Sequence, residues 1–595
     1  MARESGPAGS APFRDDSPAS KPDSSNDGEF PSSEGTATEG TPLLRSEVSS
    51  QTARDDAPTP KPSGPDAADH AVSPLRAVCI IASMWALIFL QASNMSGMTM
   101  TQSVIAEELQ AYDGAMWFTS SYLITTASLA PLVGRLSTIF SPGIMILFSS
   151  FFFAVGALVA SQAHSFGVFI LGRVLIGVGG AGIMTLSLIL VLQLASKRRR
   201  GIFVGLVNAG FTIGLSTGAV VFGALLEPLG WRALFWIQAP IGIVAGIGVY
   251  FSMPAFATGK GSKDKTVLQK VLGIDYAGAA TLTATIVLFL YGLSGTIQIL
   301  PIVLSLVTLV LFVVTEYFVA SDPLIPLKVL QSRGVLLSCL AQQGFMAARW
   351  TVLYYAPIFV LAVRGLSPAV AGAVLIPTNA GFGSGGLIIG WLHVRRAGSF
   401  WLPCLVSIAL FGAALFGLGL VSNAAAPAWL YVAVVFANGF CTGAALNYTL
   451  AHLLHLAEPE THFIATSMLA TFRGFAGSFG TSIGGGIFTR TLRASLEEGY
   501  RRLDGGGDGA GRAALIKRLV GSPALVFRGG LSEAERLVAV RGYEDSLRVL
   551  YRSACALVVV VLFLQAGTGW TAPVSDEEEE EIREEILEHD GNMEA

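Results

Sequence analysis

From Arg76 onward the chain alternates between apolar runs of roughly 20 residues and short polar breaks. A helix of that length covers the ~30 Å hydrocarbon layer at ~1.5 Å per residue. The pattern predicts fourteen membrane-spanning helices, at 78–103, 115–133, 144–161, 166–190, 202–225, 236–252, 277–293, 300–319, 335–362, 369–392, 401–421, 428–452, 463–488 and 550–570. The runs are continuous, not alternating segments of about ten residues, which excludes a transmembrane β-barrel. The fold class that follows is an all-α polytopic membrane protein.

The polar remainder reads differently by segment. Residues 1–74 are rich in Ser, Pro, Asp, Gly and Ala with almost no aromatics, a composition expected to stay disordered as a cytosolic tail. With no signal-peptide pattern there, insertion is expected to start at the first span. Within the tail, Glu39 followed by Leu43 and Leu44 has the spacing of an acidic dileucine signal. It is either a sorting signal for an adaptor, directing the chain to a vacuole-like organelle, or a chance match. Lys and Arg concentrate in alternate breaks, such as Lys197–Arg200, Lys260–Lys270, Lys328, Arg333, Arg395 and Arg396, while the other short breaks hold Arg232 and Arg364. This asymmetry predicts both termini in the cytosol, at a vacuolar or plasma membrane. An extramembrane loop is expected at 490–548, where Leu515–Leu519 and Leu531–Val540 have the pattern of amphipathic surface helices; 571–595 reads as an acidic cytosolic tail.

Composition sharpens the class. The 595 residues are 52% hydrophobic and 13% charged, about half the charge of a soluble domain, so a string of soluble domains is excluded. The net charge of -4 offers no basic surface for nucleic acid. All five cysteines lie in apolar runs, without disulfide or metal spacing. No GxxxxGK[ST], HExxH or CxxC motif occurs, so neither an ATP-coupled machine nor a metalloenzyme is indicated, and no cofactor or metal is expected.

After the fifth apolar run stand Trp231, Arg232 and Phe235, then Pro240 and Gly242. Further matches are Arg173 and Gly177 in the fourth run, Gly214 and Gly218 in the fifth, Asp275 and Gly278 before the seventh, and Arg473 in the thirteenth. As a set, over about residues 78–570, they resemble the fourteen-helix drug:proton antiporter branch of the major facilitator superfamily, with its WRxxFxxxxPxG signature. The resemblance implies a 6 + 2 + 6 arrangement: a six-helix bundle at 75–252, inner loops and two extra helices at 253–334, and a second bundle at 335–570. It also implies a secondary transporter that moves a small organic molecule by alternating access, with protons as the coupling ion. Efflux of drugs or metabolites is the first reading; vacuolar amino-acid transport and a non-transporting nutrient sensor on the same fold are the alternatives.

Three positions depart from the family pattern. Asn94 stands where the first helix has an aspartate, Ala219 stands where a proline follows Gly218, and the loop Gly134–Gly143 lacks the charges of GxLxDxxGRK. An amide cannot carry a proton near neutral pH, so coupling through the first helix is not expected. Ionisable residues at membrane depth usually face the protein interior or a cavity, which makes Arg173, Glu316 and Arg349 the candidates for substrate or coupling, with Asn94 beside them in a cavity lined by Gln91, Ser96, Thr99, Trp117 and Tyr122. Arg349 either binds an anionic substrate group or pairs with Glu316. Arg473, before a run of glycines, is expected to serve packing, and His452 and His455 are expected to be interfacial. With no mid-membrane carboxylate in the first six spans, lysine-like substrates are disfavoured.

Overall fold

The computed structural model describes residues 74–194, 200–253, 275–294, 297–319, 331–392, 399–457, 461–505 and 512–570. All lie in one compact unit, Ser46–Ala595. A second unit, Met1–Arg45, is outside the described residues, and with it the pattern of Glu39, Leu43 and Leu44. The basic loops 195–199, 254–274 and 393–398 and the acidic tail 571–595 are outside them too.

The first half comprises α1 (Pro74–Glu108), α2 (Trp117–Ile139), α3 (Pro142–Ser161), α4 (Phe166–Leu194), α5 (Arg200–Trp236) and α6 (Gln238–Ser252). Two further helices follow, α7 (Tyr276–Ser294) and α8 (Ile299–Val314), the latter ending in a π-helical turn, Thr315–Val319. The second half comprises α9 (Arg333–Ala362), α10 (Pro368–Ala373), α11 (Leu375–Leu392), α12 (Trp401–Val421), α13 (Ala428–Leu456), α14 (His462–Leu503) and α17 (Glu533–Ala566), with the short helices α15 (Ala513–Gly521) and α16 (Leu525–Arg528) before the last. Each of the fourteen expected spans falls on a helix. Among the described residues, eleven helices are long and apolar enough to cross a membrane. The others miss for visible reasons: α2 is rich in Ser and Thr, α6 has 15 residues, and α14 is rich in Gly, Ser and Thr around Arg473.

Local chemistry sets the helix starts. Asp275 caps α7 by accepting from the Gly278 amide at 2.7 Å, Ser367 caps α10 ahead of Pro368, and Ser532 with Glu535 forms a capping box on α17. The Asp275 and Gly278 motif is thus a helix cap. Residue 219 lies inside continuous α-helix, so the kink expected from a proline there is absent; the break in α5 comes at Gly230, at φ 74° and ψ 160°, where an L side chain would be strained.

In the first half α1 packs on α5 and α6, α3 on α4 and α6, and α2 on α4. In the second, α9 packs on α14 and α17, and α11 and α12 on α13. The halves meet where α5 crosses α10 and α11 and where α2 crosses α14; α7 lies against α2 and α14 and carries α8 on its other side. Small residues allow these crossings. A Cβ at Gly218 would stand 2.4 Å from the Ser93 Cα, and one at Gly372 would stand 2.5 Å from the Ala219 carbonyl carbon.

The segment expected as a loop at 490–548 is mostly helix: α14 runs on to Leu503, and Leu531–Val540 forms the approach to α17 and its first turns, not a separate surface helix. Leu515–Leu519 does lie on a helix, α15, but its apolar face is buried against protein. Ile516 and Leu519 are buried, and the Tyr543 hydroxyl donates to the Leu519 carbonyl at 2.5 Å. Residues 512–532 therefore form a strap across one end of the helices. Arg512 anchors it through Asp504, at 3.0 Å, and Glu535; these hydrogen bonds, Asp504 first, raise the Arg512 pKa above the usual arginine value.

Candidate functional site

Two polar clusters occupy the middle of the helices, one in each half. In the first, Arg173 on α4 donates through Nε to the Phe118 carbonyl at 2.7 Å and through Nη1 to Asn94 Oδ1 on α1, with the Tyr122 ring 4.9 Å from its guanidinium carbon. Asn94 passes the chain on, its Nδ2 donating to Gln238 Oε1 on α6 at 2.8 Å, and Gln238 Nε2 donates to the Leu234 carbonyl. Guanidinium only donates, so Oδ1 of Asn94 must face Arg173, and the rest of the amide orientation follows. Gln91, Ser96, Thr99 and Tyr122 are buried around or beside this chain.

The second cluster repeats the arrangement. Arg349 on α9 donates through Nη2 to Asn379 Oδ1 on α11 at 3.0 Å and lies over the Phe382 ring at 4.4 Å. Asn379 Nδ2 then donates to Ser216 Oγ on α5, at 2.9 Å, crossing from one half to the other. Each arginine is thus held by one amide oxygen and one aromatic face. Each also keeps one nitrogen without a hydrogen-bond partner, Nη2 of Arg173 and Nη1 of Arg349. Arg173 is 0% and Arg349 3% exposed, and neither forms an ion pair among the described residues. The pairing of Arg349 with Glu316 is therefore not formed. Glu316 is buried in the π-turn that ends α8, on the accessory pair outside the two clusters; α8 packs on α7.

The two arginines stand at similar depth. On α9, Tyr354 lies five residues beyond Arg349, a rise of about 7.5 Å, and its hydroxyl bonds to Gln102 Oε1 on α1. On α1, Gln102 lies eight residues beyond Asn94, about 12 Å. The helices run the same way, both ending under the strap, so Arg349 and the Asn94 carboxamide that holds Arg173 differ by only about 4 or 5 Å along the bundle. Above this level Gln102, Tyr354, Tyr355, Phe488 and Met116 enclose a chamber of 40 Å³, room for water but not for an organic solute.

The strap borders that chamber. Val520 and Pro523 line it, Asp113 pairs with Lys517 at 2.8 Å and with Arg493 at 3.2 Å, and Glu227 of α5 pairs with Arg528 at 2.5 Å. The family signature serves the same end of the molecule. Trp231 Nε1 and Arg232 both donate to the Glu108 carboxylate at the end of α1, Arg232 at 2.7 Å, and Arg232 also reaches the Ser161 and Ala163 carbonyls that end α3. Phe235 stacks edge-on against Phe169 and Phe222, while Gly242 and Pro240 lie in α6, where a Cβ at Gly242 would stand 3.5 Å from the Phe153 ring. These residues tie α1, α3, α5 and α6 together and leave the solute site to the buried polar chain.

Other expected positions divide. Gly177 and Gly214 make close crossings with α2 and α1, and Gly480 with the Ala347 carbonyl of α9, whereas Gly474 beside Arg473 meets nothing within 4 Å. Packing at Arg473 itself is therefore carried by the later glycines of the run. His452 is buried and bonds to Thr568 at 2.9 Å, so it is not an interfacial residue; His455 lies 5.0 Å from the Phe400 ring. Gln238, Asn379, Ser216 and Gln102 belong to the site but carry no sequence signal beyond being polar inside apolar runs.

Two helical halves built of long apolar helices, each with a buried polar cluster, define a polytopic membrane protein. The Major Facilitator Superfamily profile matches residues 84–481, and the chain belongs to that family. It is a secondary transporter. It is 26% identical over 463 residues to the MFS transporter L2 of Phoma sp., covering 75% of this chain and 74% of that protein. It is 26% identical over 500 residues to the multidrug resistance protein fnx1 of Schizosaccharomyces pombe, covering 81% and 90%. Among solved structures it resembles a bacterial homologue of the human lysosomal transporter Spinster, inward-facing and unoccupied, with a TM-score of 0.58 at 14% identity over 84% of this chain and 100% of that one. The peptide transporter POT bound to alafosfalin gives 0.55 at 12% identity, over 82% and 94%. At these identities the structures establish the fold.

Proposed function

We propose that this transporter carries small organic molecules out of the cytosol by alternating access, in the manner of drug or metabolite efflux, with fourteen spans arranged 6 + 2 + 6 and both termini cytosolic. The observation that carries this reading is the link from Arg349 through Asn379 to Ser216, a buried polar contact that joins the two halves. Alternating access needs such a site, exposed to each side in turn. The multidrug resistance protein among the relatives supports efflux. Protons are the proposed driving ion and Glu316 the proposed coupling group, since it is the buried carboxylate among the described residues. A vacuolar or plasma membrane is the proposed location, with an adaptor reading the dileucine pattern in the vacuolar case.

The test is transport in vesicles of the purified protein, with and without an imposed pH gradient, over a panel of labelled solutes. Gradient-driven accumulation supports the proposal. Saturable exchange that ignores the gradient makes the protein a facilitator; ligand binding without any flux makes it a sensor.

A further inference from the structure

The two buried arginines set the sign of the solute. Guanidinium does not lose its proton in the working range, and moving it out of water is costly unless an anion or full hydrogen bonding offsets the loss. Around Arg173 the partners are a carbonyl, an amide oxygen and a tyrosine ring; around Arg349 they are an amide oxygen and a phenylalanine ring. All are neutral. Position 94, in reach of the Arg173 Nη1, holds an amide that accepts with one end and donates to Gln238 with the other, so no carboxylate cancels that charge from α1. The single buried carboxylate among the described residues, Glu316, belongs to the accessory helix α8. Each cluster therefore carries one positive charge and one guanidinium nitrogen without a hydrogen-bond partner, on helices of opposite halves.

We propose that Arg173 and Arg349 bind the anionic group of the transported solute, so that the substrates are organic anions, carboxylates foremost. This rests on the transporter reading above. A carboxylate matches the planar fork of a guanidinium, and in a water-poor site the charge-assisted bonds are strong. Such a ligand supplies the missing counter-charge. It also acts on the cycle, because a carboxylate at Arg349 competes with Asn379 Oδ1 for the guanidinium and so loosens the bond by which Asn379 holds Ser216 of the other half. A cation entering the same space meets like charge from both halves and has no carboxylate to receive it.

Two xanthene dyes of similar size and opposite charge provide the test: fluorescein, anionic at mildly alkaline pH, and pyronin Y, cationic. In vesicles of the full chain, fluorescein flux is expected to exceed pyronin Y flux at least tenfold. Arg349→Gln and Arg173→Gln should each lower fluorescein flux at least tenfold, and Arg349→Lys, which keeps charge but not the fork, should fall between. Melting curves of each variant separate loss of folding from loss of binding; if one Gln variant does not fold, the other and the Lys variant still report. Pyronin Y moving as fast as fluorescein, or fluorescein flux surviving both Gln substitutions, overturns the anion assignment and leaves the transporter intact. Movement of neither dye by folded protein overturns both.

Discussion

Tyr354 and Gln102 belong to different halves of the molecule, and the hydroxyl of the first bonds to the amide oxygen of the second directly beneath the strap. This contact holds α9 to α1 at the end where the chamber is closed. Tyr354→Phe removes the donor and leaves a buried acceptor, a loss of about 1 kcal/mol, which shifts an open–closed equilibrium about fivefold toward opening at that end. Labelling of Met116→Cys, a chamber-lining position, should accelerate by that factor in the Tyr354→Phe background. An unchanged labelling rate sinks the idea that this bond is part of the closure.

The strap offers a second handle. At Gly521 a Cβ would stand 2.5 Å from the Tyr112 Cα, a contact that only backbone movement relieves. Gly521→Val should lift α15 and make the strap sensitive to added protease, with the helical halves still folded. Asp113→Asn removes the acceptor of both Lys517 and Arg493, but those pairs are half-exposed and worth about 0–1 kcal/mol each. Its effect should be small and should vanish in concentrated salt, where the wild-type pairs are screened as well.

Asn94 is matched to two neighbours at once. Asn94→Leu strands Arg173 Nη1 and Gln238 Oε1, and the melting temperature should fall by an amount corresponding to about 2–4 kcal/mol. Asn94→Asp satisfies Arg173 but sets an oxygen against Gln238 Oε1, whose own amide nitrogen is held by the Leu234 carbonyl. It should slow transport of anions more than it lowers stability. Equal losses in both would make residue 94 a purely structural link.

Glycines separate into those that carry a crossing and those that do not. Gly218→Ala drives a methyl into the backbone of Ser93 and should cost about 1–3 kcal/mol or abolish folding. Gly474→Ala meets open space and, inside a helix, should be neutral or stabilising by up to about 1 kcal/mol. Melting curves of the two variants in one detergent decide it.

Coupling is tested at Glu316. Glu316→Gln should abolish gradient-driven accumulation while solute-for-solute exchange continues. Full accumulation in that variant falsifies the assignment and moves the search to groups beyond α8.

Much of this was legible along the chain because membrane helices announce themselves by length and apolarity, and because a buried charge is conspicuous against such a background. Arg173, Arg349 and Asn94 stood out for that reason. Their partners did not: Asn379 and Ser216 are ordinary polar residues 163 positions apart, and only the crossing of α5 with α11 brings them together. Of the two readings of Arg349, the pairing with Glu316 is not formed: the guanidinium bonds to Asn379, and Glu316 lies on the accessory pair. The strap was hidden for the opposite reason. Its basic residues look like those of any solvated loop, and the acceptors of Lys517 and Arg528, Asp113 and Glu227, lie hundreds of residues earlier.

Because the strap is joined by covalent bonds to two helices of one half while its charged side chains grip the other, it never has to find its target by diffusion. A tether of this kind presents its binding face at an effective concentration set by chain length, in the millimolar range for short flexible connections. Reclosure after an opening is then a first-order event, independent of protein concentration. Any opening of that end therefore leaves Lys517 and Arg528 tethered within reach of Asp113 and Glu227.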